Sequence, residues 1–190
     1  VKPEPATLAA ARWFLAHESA HFWLGQEVRY GGPGEAWITE GGADLLAVRA
    51  VGALDPAFDQ KRELQRRLDQ CAELAPKGAI ASAYERNQHD VYYGCGAMFA
   101  LAAEAAAAKS GGDFMTFVNG AIAANKSDGV LSRADWLAAF AKAGGSAEAA
   151  AIIAGMLDAP TADPSARLAA LFDRSGIAYR RGADGKLLLS

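Results

Sequence analysis

Two histidines one helical turn apart, with a glutamate beside the first, constrain this chain more than anything else in it. The run is His17-Glu18-Ser19-Ala20-His21; eighteen residues later comes Glu40, and Asp44 follows four further on. On a helix His17 and His21 share one face, and two imidazoles so placed can hold one tetrahedral ion, with zinc the natural choice for such donors. Glu18 is turned roughly 100° around the axis, beside the ion, where a carboxylate can act on metal-bound water. Glu40 can supply a third ligand from a second helix. Water would fill the fourth position, as in a catalytic rather than a structural zinc site.

The neighbours sharpen the reading. Trp13, Phe14, Phe22, Trp23 and Leu24 flank the histidines, so the helix is expected to be largely buried, and buried His and Glu require partners. In Trp37-Ile38-Thr39-Glu40-Gly41-Gly42-Ala43-Asp44, Glu40 and Asp44 share a helical face. Asp44 is then placed to accept a hydrogen bond from a ligating imidazole. Gly41 and Gly42 lie inside that helix at up to about 1 kcal/mol each relative to Ala. Close packing against the first helix, bringing Glu40 to the metal, is the physical reason expected.

The run His17 to Gln26, followed by Trp37-Ile38-Thr39-Glu40-Gly41, resembles the gluzincin metallopeptidases. Within them it is most similar to the aminopeptidase N and leukotriene A4 hydrolase group, which has HExxH, eighteen residues and Glu in a WxxEG context. Thr39 stands where the group usually has Asn. The resemblance implies the helical part of a thermolysin-like zincin catalytic domain, with His17, His21 and Glu40 holding zinc and Glu18 as general base. It also implies a Tyr, three residues before a Gly at the start of a later helix, that donates to the oxyanion. Tyr93 with Gly96 fits that spacing, and Tyr92 is the alternative. Gly94 and Cys95 depart from the charged pair often found between them. The group's Gly-x-Met-Glu-Asn motif, which recognises a free N-terminus, is not found here.

The 190 residues suit one domain, expected to be part of a larger metallopeptidase because the chain starts at Val1 and carries only six residues before the zinc helix. Those six include Pro3 and Pro5 and cannot form a substrate-aligning sheet; an N-terminal portion of a parent protein is expected to supply it. Apolar residues make up 52% of the chain and net charge is −3. Without a long basic run, nucleic acid and anionic membrane are disfavoured as partners; no apolar run is expected to be long enough to span a bilayer. The compartment is left open. Cys71 and Cys95 are read as buried free thiols, with a single bridge as the alternative.

The rest reads as mainly α. Helices are expected over 7–24, closed by Gly25, and over 36–53, completing a zinc site within 7–54. Between them, 28–30 is briefly extended. A third helix over 58–74 puts Leu64, Leu68 and Cys71 on its apolar face and Lys61, Arg62, Arg66 and Arg67 largely in solvent. Asp90 is the expected N-cap of a tyrosine-bearing helix over 91–109. A helical C-terminal part over 113–176 follows, with starts at Asp113, Ser132, Ser146 and Asp163-Pro164 and a stop at Gly176. A short hairpin closes the chain over 177–190. His89 is read as an exposed loop residue, with lining the cleft as its functional alternative.

The implied activity is zinc-dependent hydrolysis of a peptide or protein substrate, weak in this chain alone. A peptidase-like zinc domain serving as a scaffold without turnover is the second reading. A structural helical domain with a chance motif is the third.

Overall fold

The computed structural model describes residues 5–190, with side chains from Thr7 onward. Residues 1–4 of the Pro-bearing lead-in lie outside the described residues. Eight helices follow in order: α1 (Pro5–Ala20), α2 (Trp37–Leu54), α3 (Gln60–Leu74), α4 (Asp90–Ala108), α5 (Phe114–Asn125), α6 (Arg133–Lys142), α7 (Ala147–Asp158) and α8 (Pro164–Ser175). Strands β1 (Arg29–Tyr30) and β2 (Val130–Leu131) pair in parallel, and β3 (Tyr179–Arg181) with β4 (Leu187–Leu189) forms the antiparallel terminal hairpin. The chain is mainly α, as expected.

Local chemistry places most helix ends. Asp59, Asp113, Ser132, Ser146 and Asp163 each accept a backbone N–H in the first turn of their helices, meeting donors that a helix leaves unpaired. The Ser132–Asp135 pair, an imperfect cap by sequence, closes a full reciprocal capping box. Asp90 differs: it is the first residue of α4, His89 takes the cap position, and no side chain caps that end. The regular part of α1 stops at Ala20, four residues short of Leu24, because the chain tightens into i→i−3 bonds at His21, Phe22 and Trp23.

α4 is the centre of the molecule. Its alanines and glycines let neighbouring backbones approach closely, and it packs on α2, α3, α5 and α8. It is long and apolar enough to cross a membrane by length and composition, contrary to expectation, but it is buried by the helices around it. Gly41 meets Gly96 at the α2–α4 crossing, where a Cβ on Gly41 would fall 2.1 Å from the Gly96 carbonyl carbon. Gly41 therefore closes α2 onto α4 and not onto α1; Gly42 faces Leu24. Beyond the crossing, Trp37 stands edge-on to Phe99 and Trp136, with centroids 5.6 and 5.1 Å away, a favoured aromatic geometry.

Two expectations are corrected. Cys71 and Cys95 form a disulfide joining α3 to α4. Gly94 makes this reachable, since a Cβ there would sit 2.8 Å from the Cys71 nitrogen. And α1 is buried on one face only: Trp13, His17 and Ala20 turn toward the body. Phe14 and Leu15 are 55% and 62% exposed, and Phe22 and Trp23 after the helix are exposed as well. Large apolar side chains are commonly inside, but folded surfaces retain much apolar area, so the flanking aromatics overstated the burial.

Candidate metal centre

The end of α1 and the start of α2 meet to form the site. His17 is buried on the inner face of α1. Its Nδ1 donates to Asp44 Oδ1, one turn beyond Glu40 on α2, at 2.8 Å. His21 lies just past the last regular turn, and its Nδ1 donates to the Leu24 carbonyl at 3.0 Å. That carbonyl is brought back to the ring by the turn through Gly25, whose φ of +145° lies where side-chain-bearing residues are strained. A carbonyl oxygen and a carboxylate can only accept, so each Nδ1 carries a hydrogen. Each neutral imidazole is then left with its Nε2 lone pair free to ligate.

The two Nε2 atoms face each other at 3.2 Å. Glu40 Oε2 lies 3.4 Å from that of His17 and 3.7 Å from that of His21. An ion bonded tetrahedrally at about 2.0–2.1 Å has its ligands roughly 3.3–3.4 Å apart. Two edges of this triangle lie close to that spacing and the Glu40–His21 edge is longer, at 3.7 Å; these residues form a group able to hold a metal ion. The donor set, two imidazoles and one carboxylate, suits zinc and leaves a fourth position open.

Without an ion the same groups hold a proton. Burial works against a charged His17, but the hydrogen bonds and charges of Asp44 and Glu40 outweigh it, and its pKa is raised to about 9. Burial acts to raise the Glu40 pKa, but the His17 hydrogen bond and the His21 charge prevail, and it lies below the usual carboxylate range.

The remaining candidates are distributed around this triangle. Glu18 is exposed at the next position around α1. Tyr93, near the start of α4, stacks on His17 with ring centroids 5.8 Å apart. Burial and then the Glu40 charge push its hydroxyl well above the ordinary tyrosine value, so it stays a proton donor. Tyr92 is buried, and its hydroxyl accepts the Tyr84 N–H at 3.0 Å. His89 is exposed, with its ring edge-on to Tyr84. It joins Glu40, Tyr93, Tyr30 and Tyr84 in lining a cavity of about 190 Å³ beside the triangle.

Arg67 was expected in solvent and is instead buried behind the site. The signal was present: Arg67 is three residues after Leu64 and four before Cys71, on the apolar face of α3. Its positive charge had argued for the opposite face. Comparisons with protein-family models, with curated proteins and with solved structures give no match.

Proposed function

We propose that this chain is the zinc-bearing helical part of a gluzincin-like metallopeptidase and hydrolyses peptide bonds. The observation that carries the reading is the triangle of His17 Nε2, His21 Nε2 and Glu40 Oε2, with both Nδ1 atoms already engaged. A chance motif does not require three donor atoms to converge on one point. Zinc held there would lower the pKa of a coordinated water to about 7 and polarise the scissile carbonyl. Glu18 takes the proton of the attacking water and passes it to the leaving amine. The Tyr93 hydroxyl donates to the oxygen on which negative charge develops. Asp44 holds His17 in the tautomer that ligates. The neighbouring cavity receives a side chain flanking the scissile bond. β1, which brings Tyr30 to that cavity, is only two residues long. This is too short to align an extended peptide, and positioning accounts for several kcal/mol of such a barrier, so slow turnover by these 190 residues alone is part of the reading.

Elemental analysis and zinc titration are expected to give one ion per chain, with His21→Ala and Glu40→Ala binding far more weakly. Glu18→Gln should retain zinc and fold while losing hydrolysis of a peptide panel. No zinc uptake by the unaltered protein would refute the metal centre. Hydrolysis undiminished in zinc-loaded Glu18→Gln would refute the general base. Stoichiometric zinc with no hydrolysis of any peptide would favour the scaffold reading.

A further inference from the structure

We propose that Arg67 is a positioning residue for the metal centre, acting through Asp44 on His17; this rests on the reading of His17, His21 and Glu40 as zinc ligands. Arg67 Nε lies 2.6 Å from Asp44 Oδ2, while Asp44 Oδ1 takes the His17 Nδ1 hydrogen at 2.8 Å. One carboxylate thus has a separate partner on each oxygen, and both partners are buried. The arginine contact is held by charge and not by an aligned hydrogen bond, since Oδ2 has no partner of hydrogen-bond geometry. Rotation of the Asp44 carboxylate would break either the ion pair or the imidazole hydrogen bond.

Arg67 itself is fixed from three sides. Its guanidinium lies 5.1 Å from the Trp13 ring centroid and 5.8 Å from that of Tyr93, and Nη1 donates to Gln70 Oε1 at 3.0 Å. Trp13 is one turn before His17 on α1, Asp44 one turn after Glu40 on α2, and Tyr93 is the oxyanion donor on α4. A single planar cation therefore touches all three helices that carry the reacting groups. A guanidinium can pack its flat faces on rings and keep its edge for a carboxylate; an ammonium cannot do both. A buried ion pair is weak grounds for stability, because apolar groups of similar volume often serve as well. The arrangement is better explained by what it orients.

The test measures zinc affinity by competition with a chromophoric chelator in the full chain, with folding checked by circular dichroism. Arg67→Gln is expected to weaken zinc by about 10- to 100-fold, the usual effect of losing an outer partner of a metal ligand. Arg67→Lys should recover part of that loss. In an Asp44→Asn background, where the carboxylate is already gone, Arg67→Gln should cause no further loss of zinc affinity, the non-additivity expected of groups acting in series. A merely structural role would lower the unfolding midpoint in all backgrounds and leave the affinity of folded protein unchanged. The Asp44→Asn/Arg67→Gln double variant leaves no uncompensated buried charge; should Arg67→Gln alone fail to fold, Arg67→Lys and its double with Asp44→Asn take its place in the cycle. Wild-type zinc affinity in folded Arg67→Gln, or additive losses in the double variant, would overturn the role of Arg67 and leave the metal centre standing. Absence of zinc uptake by the unaltered chain would overturn the ligand set itself.

Discussion

At His17 a proton and the proposed metal ion would compete for the same nitrogen. The metal-free folded protein holds the proton with a pKa of about 9, against an ordinary value of 6.5. A pKa raised by folding contributes stability that is complete below about 6.5 and lost as pH rises through about 9. Chelator-treated protein should therefore lose on the order of 2–3 kcal/mol of unfolding free energy across that window, read from urea denaturation at pH 6, 7.5 and 9. Zinc should behave in the opposite way. Its apparent affinity should climb by up to about tenfold per pH unit toward pH 9, because the proton must leave before the nitrogen can ligate. A flat profile between pH 6.5 and 8.5 would contradict the assigned protonation. Tyr93 gives a separate prediction at the same scale. Tyr93→Phe removes one donor and little volume, so zinc content should stay at wild-type level while kcat falls by about 10²–10³ with little change in KM.

At the scale of elements, the glycines that a helix ordinarily avoids set the distance between α2 and α4. Gly41→Ala would drive a methyl group into the backbone of Gly96, which has no flexible side chain to yield. It should destabilise the protein by about 3 kcal/mol, the upper part of the range for overpacking. It should also weaken zinc, because Glu40 is the adjacent residue. Gly155 is the contrast: it lies inside α7 and an added Cβ would meet nothing within 4 Å. Gly155→Ala should raise the unfolding free energy by about 0.5–1 kcal/mol, so the pair should move urea midpoints in opposite directions. The same distinction explains what the sequence made legible. Helix starts at Asp113, Ser146 and Asp163 depend on bonds within one turn and could be read from neighbouring residues. So could the i, i+4 pairing of His17 with His21 and of Glu40 with Asp44. The partner of Gly41, the depth of Arg67 and the exposed face of α1 depend on which helices meet, and local spacing does not carry that information.

Across the whole molecule, contacts between distant segments decide what holds. The Cys71–Cys95 bridge spans a sequence separation of 24 and fixes α3 against α4 behind the site. The two thiols could be judged buried from composition, but not adjacent. Replacing both by Ala should cost about 3 kcal/mol in the loop-closure account, checked by comparing the unfolding of oxidised, reduced and substituted protein. The parallel pairing of Arg29–Tyr30 with Val130–Leu131 was equally illegible, since two short segments a hundred residues apart announce no partner. The packing of α1 has a further consequence. That helix lies chiefly on α2, through one face, and it carries His17 in its last turn with His21 just beyond it, two of the three proposed ligands. An ion bound there would also be a rivet between a helix seated through one face and the body it lies on. Loading and docking are then one equilibrium: chelation should expose the amides of α1 to hydrogen exchange and its bonds to proteases, while those of α4 stay protected. Zinc supply would govern the lifetime of the first helix as well as its chemistry.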